Sequence, residues 1–175
     1  MAFTVWLACC GGQASTPPAS PASPPPVSTE ERCRQQAKAC STALLTSTDP
    51  HAIDCMAEDA IAYFGRDQLV IALAAAKSEF ERTGLSFERV EVDPPQRTVS
   101  SGDQLFAIVP THVTMKVPQG HIASASYLLG VSKDGGATWR FVDGAGLRPD
   151  NVKKIFATFP PSLTLPTREK PQLLP

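Results

Sequence analysis

One histidine lies where a side chain could do acid–base chemistry. Residues 104–117 alternate in hydrophobicity, so that one face of a predicted strand carries Leu105, Ala107, Val109, Val113, Met115 and Val117. His112 falls on the opposite face, beside Phe106 and Ile108. If that face lines a pocket, the imidazole can serve as a general base. If it is the outer face, His112 is simply solvated, which we favour; His51 and His121, at element ends, are also expected to be solvated.

Five cysteines form a second reactive group: Cys9, Cys10, Cys33, Cys40 and Cys55. They contain no CxxC pair and no Cys/His spacing suited to zinc, so no metal site is expected. Cys33 and Cys40 lie on one predicted helix with Cα atoms about 10.5 Å apart at 1.5 Å per residue, too far for a disulfide. Cys40 and Cys55 straddle a turn, and we predict a disulfide between them in an oxidising compartment. Alternatively, all three are small core residues.

The remaining two cysteines lie in a short apolar amino-terminal stretch. The string Leu7-Ala8-Cys9-Cys10-Gly11-Gly12 resembles the lipobox of bacterial lipoproteins, and residues 3–8 resemble the end of a signal sequence. Because Leu7 then occupies the lipobox leucine position, Cys10 is the favoured lipidation site, with Cys9 as the alternative. An ordinary apolar amino terminus is the other interpretation. The resemblance implies a lipoprotein of the bacterial cell envelope, facing the periplasm.

The next stretch has the composition of a tether. Residues 11–28 are rich in Pro, Ser and Ala and carry no charged side chain. Such a segment buries too little apolar surface to fold and favours extended polyproline II. We therefore divide the chain into a signal and lipobox remnant (1–10), a tether (11–28), a folded domain (29–160) and an extended Pro-rich tail (161–175).

A structural hairpin is indicated by Ser132-Lys133-Asp134-Gly135-Gly136-Ala137-Thr138-Trp139. The string is similar to the Asp-box of sialidases and other β-propellers, whose key positions fall here on Ser132, Asp134, Gly136, Thr138 and Trp139. In that motif the Asp accepts turn amides, a Gly takes positive φ and the Trp packs beneath the turn. A propeller needs at least four blades of roughly 40–50 residues. One box in a domain of this size predicts a braced turn and argues against a sialidase.

The order of elements predicts an α+β domain. Ser28 to Glu31 reads as a capping box for a helix ending near Leu45, and Asp49 with Pro50 opens a second helix that fades near Phe64. A third helix runs from about Asp67 to Gly84, with Leu69, Leu73, Ala76 and Phe80 as its buried stripe. Strands are predicted over 86–93, 104–117, 121–133 and 138–143, and Pro110 requires an edge position or a bulge. Asp150 can cap a short helix over 151–157.

Helices followed by a meander of long antiparallel strands place the helices on one face of a curved sheet. This layout, the Tyr63-Phe64-Gly65-Arg66 bend, the strand pair 121–143 and the closing segment 159–166 resemble the nuclear transport factor 2-like superfamily of cone-shaped domains, in particular uncharacterised bacterial members. The fold class that we expect is therefore α+β, with N-terminal helices packed on a curved antiparallel sheet in the form of a cone.

Enzymes of that superfamily place an Asp with a Tyr or His inside the cone. The resemblance implies Tyr63, His112, Tyr127 and Asp143 as weak catalytic candidates, but no Asp lies in mid-strand, and the aromatic residues are more simply core residues. We therefore favour a non-enzymatic domain that binds a small apolar ligand in the cone, or dimerises through the sheet. A small-molecule isomerase, dehydratase or hydrolase is the alternative, and a purely structural envelope component is a third.

Charge excludes one class of partner. The formal net charge is −1 and the basic residues are scattered. A nucleic-acid-binding protein needs a basic face to neutralise phosphates, so nucleic acid is not an expected partner. No cofactor motif is present either, and the expected partners are a membrane, through the lipid anchor, and a small ligand or a second copy of the chain.

Overall fold

The structure, a computed structural model, describes residues 27–167 and 169–174. The signal remnant, both candidate lipidation sites Cys9 and Cys10, and most of the tether lie outside the described residues. The helices are α1 (Thr29–Thr46), a 3₁₀ helix (Pro50–Cys55), α2 (Glu58–Phe64), α3 (Arg66–Thr83) and α4 (Val152–Ile155). The strands are β1 (Ser86–Val92), β2 (Arg97–Ser101), β3 (Gln104–Val117), β4 (Gly120–Ser132), β5 (Arg140–Asp143) and β6 (Gln172–Leu174).

Helix α1 begins at the predicted cap. The Ser28 hydroxyl accepts from the amide of Glu31 at 3.1 Å. The second half of the capping box does not form, because the Glu31 carboxylate instead accepts from the Arg34 guanidinium at 2.8 Å. Cys33 and Ala37 are fully buried on the inward face of the helix, as the periodicity predicts.

The single second helix that the sequence predicts is divided in two. Asp49 caps the 3₁₀ helix, accepting from the amide of His51 at 2.8 Å. The chain then becomes extended at Met56, which forms a β-bridge with Phe141, and Ala57 donates its amide to the Phe141 carbonyl at 3.0 Å. Helix α2 starts only after this contact. The Ala57 amide, which a continuous helix would bond to a carbonyl of its own preceding turn, thus bonds to the edge of β5 instead.

All strand pairs are antiparallel, and the α+β class is confirmed. The central pair is β3 with β4, in register from Leu105 opposite Ser132 to Val117 opposite Gly120. On one side β1 and then β2 pair with β3; on the other β5 and β6 pair with different parts of β4. The nuclear transport factor 2-like cone stays a prediction.

Pro110 lies in an interior strand, not at the edge of the sheet. Its carbonyl accepts from the amide of Asp93 at 3.0 Å, at the point where β1 ends and before β2 begins. The N–H and C=O of one strand residue face the same neighbour. The missing donor of Pro110 therefore faces this interruption, and no ladder bond is lost.

The sheet is covered on both faces, which corrects the expectation of helices on one face. Helix α1 covers the face that carries Val90, Val109, Leu128, Trp139 and Phe141. The opposite face, with Phe106, Ile108, Leu129 and Val142, is covered by α2, α4 and the segment through Leu163. The chain passes from the face covered by α1 to the face covered by α2 at the outer edge of β5, where Met56 forms its bridge with Phe141.

Helix α3 is peripheral. Gly84 closes it in the left-handed conformation, as predicted, with φ of 67°. None of its residues is buried, however: Leu69, Leu73 and Phe80 are half-buried and Ala76 is exposed. The prediction of a buried stripe on α3 was therefore wrong. The apolar face of the helix does not pack into either hydrophobic cluster of the domain.

The carboxyl-terminal part is more integrated than the sequence suggests. Helix α4 is shorter than predicted, and its preceding residue is Asn151, not Asp150. The Asn151 side chain accepts from the amide of Arg148 at 2.8 Å and holds the preceding turn. Leu163 is buried and Leu165 packs against the core, so the packed domain extends beyond the expected boundary at 160. From 166 onward every described residue is exposed.

Candidate functional site

Two of the four catalytic candidates, His112 and Tyr127, line one small pocket, which we call the His112 pocket. The pocket has a volume of about 250 Å³. It lies on the face of the sheet that α2 and α4 cover, next to the hydrophobic cluster on that face. The sheet side contributes Asp93, Gln96, Pro110, His112, Ala125, Ser126 and Tyr127, and the C-terminal tail contributes Pro166, Thr167 and Glu169.

Strand register places His112 in this pocket. His112 lies opposite Ala125 of β4 and opposite Glu91 of β1. Asp93, just past the end of β1, is held by the bond from its amide to the Pro110 carbonyl. Its carboxylate lies 3.0 Å from Nε2 of His112, and the two side chains are 50% and 53% exposed. His112 is thus neither an isolated solvated residue nor a buried one, but half of an accessible His–Asp pair.

Tyr127 forms the inner wall of the pocket. Only 5% of it is exposed, and its ring lies against Gly144, where an added Cβ would be 2.5 Å from ring carbons. Burial, and then the charge of Asp143, raises the pKa of Tyr127 to about 12. The phenol therefore stays protonated near neutral pH and can act as a hydrogen-bond donor but not as a base.

The other two candidates do not complete an acid–base set. The Asp143 carboxylate accepts from the amide of Ala145 at 2.8 Å and caps a short 3₁₀ turn (Gly144–Gly146). Tyr63 is 46% exposed at the end of α2, with its ring edge-on to Phe64 at 5.0 Å between centroids. Tyr63 lines no part of the pocket and is not a core aromatic residue. Neither its interpretation as a catalytic candidate nor its interpretation as a core residue fits this position.

Sequence reasoning missed Asp93. A signal was present: Val90 and Val92 are buried on one face of β1, so Glu91 and Asp93 project to the other. Antiparallel pairing of β1 with β3 would then place Asp93 beside His112. That inference required the register of two segments that are 19 residues apart at their contact. Among the described residues, no group of three or more His, Cys, Asp or Glu side chains could hold a metal ion.

The structure places all five Asp-box residues in one hairpin turn between β4 and β5. Asp134 Oδ1 accepts from the amide of Thr138 and from the Ser132 hydroxyl, both at 2.8 Å. The backbone bond from Thr138, followed by the Ser132 bond, lowers the pKa of Asp134 to about 2. Ser132 Oγ accepts from the amide of Gly136 at 2.9 Å, and Trp139 is buried beneath the turn. These bonds are those of a structural brace.

A second pocket of about 250 Å³ lies between this hairpin and α2. Lys133 Nζ is 3.2 Å from an Asp59 carboxylate oxygen and 3.5 Å from one of Glu58. Burial opposes the charge on Lys133, but bonding to Asp59 and the charges of both carboxylates outweigh it and raise the pKa of the amine. Lys133 forms ion pairs with both carboxylates, although Asp59 Oδ2 is buried without a hydrogen bond, so we interpret this cluster as a link between the hairpin and α2.

The structure contains a disulfide between Cys40 and Cys55, the pair that the sequence analysis favours. The S–S distance is 2.06 Å and the Cα atoms are 5.5 Å apart. It joins α1 to the end of the 3₁₀ helix. Cys33 is free and buried against the sheet, and burial raises the pKa of its thiol to about 12. That thiol is unreactive at neutral pH.

Comparison with protein-family models, with curated proteins and with solved structures found no match. Within the described part of the chain, no helix has the length and apolar character needed to cross a bilayer.

Proposed function

We propose that the chain is a lipoprotein of the bacterial envelope whose α+β domain is a non-enzymatic ligand- or partner-binding module. The lipobox-like string and the Pro/Ser-rich tether support the anchor, with Cys10 as the lipidated residue and the domain facing the periplasm. The proposed site is the His112 pocket. The element order also supports membership of the nuclear transport factor 2-like superfamily, although helices on both faces differ from the expected arrangement.

The composition of the pocket supports binding rather than catalysis. The His112–Asp93 pair and the Tyr127 side chain line a small space, so donors and acceptors are available for a ligand. Asp143 is occupied by a backbone amide, and Tyr127 is no base near neutral pH, so among the four catalytic candidates only His112 is left as a base. Because most of the lining residues are polar, among them Asp93, Gln96 and Glu169, a small polar ligand or a polar peptide group fits the pocket better than the apolar ligand that we expected. Dimerisation through the sheet stays a prediction.

One observation favours an enzyme as the second candidate. Asp93 lies within hydrogen-bond distance of His112 Nε2, which leaves Nδ1 as a general base in a pocket that Tyr127 also lines. An isomerase, dehydratase or hydrolase would use this pair on a substrate small enough for the pocket. Turnover of a carbonyl or ester substrate that is lost in His112→Ala and retained in His51→Ala would favour this alternative.

The binding role is tested by nuclear magnetic resonance on the domain. A library of small polar fragments is titrated while the backbone amides of His112, Ala125 and Tyr127 are followed. We expect saturable shifts at these residues, reduced at least fivefold in affinity by His112→Ala and unchanged by His51→Ala. The matched residue His51 is a remote histidine, with 76% of its side chain exposed. Shifts that are absent, or equal in both variants, would contradict the assignment.

The anchor is tested separately on protein isolated from its native membrane. Mass spectrometry should find a diacylglyceryl adduct on an N-terminal cysteine at position 10. An unmodified chain that retains Met1 would refute lipidation and leave the binding role to be judged on the fragment titration.

A further inference from the structure

The outer edge of β4 is only partly paired. On this side β5 pairs with residues 128–131 and β6 with residues 121–123, so among the described residues 124–127 have no strand partner there. The backbone carbonyl of Pro110 points toward β1. Because the backbone groups of successive strand residues point to alternate sides, the N–H and C=O of Thr111 point toward β4. Thr111 pairs with Ser126, so the N–H and C=O of Ser126 point toward β3. The N–H and C=O groups of Ala125 consequently point outward from the sheet, and those of Tyr127 face the buried Gly144, the residue that follows β5.

The segment that covers this edge is weakly attached. We call residues 166–167 and 169–174 the C-terminal strap. All of these residues are exposed, including Leu173 at 62% and Leu174 at 41%. Only the three residues of β6 pair with β4. Pro166 and Pro171 have no N–H to donate. A three-residue strand without a buried side chain adds little stability, so its release loses little apolar burial.

The strap stands over open space. It forms one wall of the His112 pocket and of an adjoining space of about 140 Å³ above Thr114, Ala123 and Ala125. The two alanines leave the backbone of β4 accessible from this side. An extended chain that lay along β4 would therefore meet free main-chain groups and, next to them, the His112–Asp93 pair.

We propose that the outer edge of β4 from His121 to Ala125 is a strand-addition site for an extended peptide segment of a partner protein. The strap occupies part of this site in the free protein. The inference rests on the proposed binding role and names the class of partner. The strap supports this choice of occupant, because it already binds the edge as an extended chain.

The pairing pattern defines what such a peptide must contain. It needs N–H groups opposite His121, Ala123 and Ala125, and therefore no proline at those positions. Main-chain bonds would supply most of the affinity. His112 lies one strand further in, opposite the small Ala125, so a long side chain on the pocket side would reach it, which favours a polar residue there that can hydrogen-bond to His112.

The test uses the full chain and a synthetic peptide with the sequence of residues 166–175. Gln172→Pro removes an N–H that faces Ala123 and so releases the strap. Leu173→Pro is the matched control, because Leu173 pairs with the inward-bonding Ile122 and its N–H does not contribute to the ladder. We expect Gln172→Pro to bind the peptide at least tenfold more tightly than the wild type does, with amide shifts at Ala123 and Ala125. Leu173→Pro should stay within threefold of the wild type.

A second variant keeps the proposal testable if Gln172→Pro does not fold. Ile122→Cys with Leu173→Cys would lock the strap by a disulfide, and the oxidised form should bind the peptide at least fivefold more weakly than the reduced form. Peptide binding that is insensitive to both changes, or that shifts no residue of the edge, would overturn the proposal. Concentration-dependent dimers of the wild type that disappear on locking would also overturn it, in favour of strap exchange between copies. Fragment shifts at His112 that persist without peptide binding would leave the proposed function intact.

Discussion

Gln36 on α1 and Trp139 at the base of the β4–β5 hairpin are joined by a hydrogen bond of 2.7 Å, from the Trp139 amide to Gln36 Oε1. The same side chain donates from Nε2 to the carbonyl of Ala137 at 3.1 Å. One amide group thus satisfies a donor and an acceptor of the hairpin backbone where no strand partner is available. This contact positions the braced turn against the first helix of the domain.

We expect Gln36→Leu to lower the free energy of unfolding by about 1–3 kcal/mol, because it leaves two backbone groups without a partner at a partly buried site. Gln35→Leu is the matched control, since Gln35 is exposed and bonds only to Glu31 on its own helix. Urea denaturation compares the two variants. Equal effects would show that the Gln36 bonds contribute nothing beyond helix propensity.

Gly136 should be irreplaceable for two separate reasons. Its φ is 91°, and an added Cβ would overlap the Cγ2 methyl of Thr29. Gly136→Ala should therefore cost about 2–4 kcal/mol, from backbone strain and overpacking together. At Gly135 φ is also positive, at 69°, but nothing lies within 4 Å of the added atom.

Gly135→Ala should cost only about 1–2 kcal/mol. Thr29→Ala should recover part of the loss in Gly136→Ala and none of the loss in Gly135→Ala. A double-mutant cycle by thermal unfolding measures this coupling; additive effects would contradict the predicted overlap.

Asp134 makes the hairpin sensitive to acid. Hydrogen bonds from Thr138 and Ser132 lower its folded-state pKa to about 2, below the unfolded value of about 3.9. The charged form is the one that the fold stabilises, so the contribution is present above the unfolded pKa and is lost as the pH falls from about 4 to about 2. The difference in stability between wild type and Asp134→Asn should shrink over this window. A difference that stays constant between about pH 5 and pH 2 would contradict the stabilised carboxylate.

Local sequence patterns predicted what local contacts determine. Ser28 and Asp49 cap their helices, Gly84 takes the left-handed conformation, and the alternation over 104–117 gives a strand of those bounds. These features depend on residues within a few positions of one another. The same local logic identified the braced turn at Asp134.

Features that depend on distant partners were not predictable in this way. The helix expected from Pro50 is interrupted because Phe141, far along the chain, supplies a strand edge to Met56. The His112–Asp93 pair depends on the register of β1 against β3. Helix α3 is exposed because the two hydrophobic clusters are already covered by other elements of the fold. The amphipathic pattern of the helix does not show which surfaces of the domain remain to be covered.

The peripheral position of α3 predicts tolerance to truncation of its apolar side chains. Leu73 is half-buried and belongs to neither cluster, so Leu73→Ala should cost less than about 1.5 kcal/mol. Leu129→Ala, at a fully buried position, should cost about 2–5 kcal/mol. Chemical denaturation of the pair decides the matter. A loss at Leu73 equal to that at Leu129 would show that α3 packs tightly on the domain in solution.

The disulfide should contribute mainly through the unfolded state. Cys40 and Cys55 are 15 residues apart, and closing a loop of this length stabilises a domain by about 3 kcal/mol. The double variant Cys40→Ala with Cys55→Ala should lose about this amount relative to the oxidised wild type. In the presence of a reductant the difference between the two proteins should largely disappear.

Thiol titration gives an independent check of the same bond. The oxidised domain without residues 1–26, unfolded in denaturant, should show one free thiol, which belongs to Cys33. Cys33→Ala should then show none, while Cys40→Ala should expose the thiols of Cys33 and Cys55. Three free thiols in the same domain, isolated without reductant, would mean that Cys40 and Cys55 are reduced and that α1 and the 3₁₀ helix are held together by packing alone.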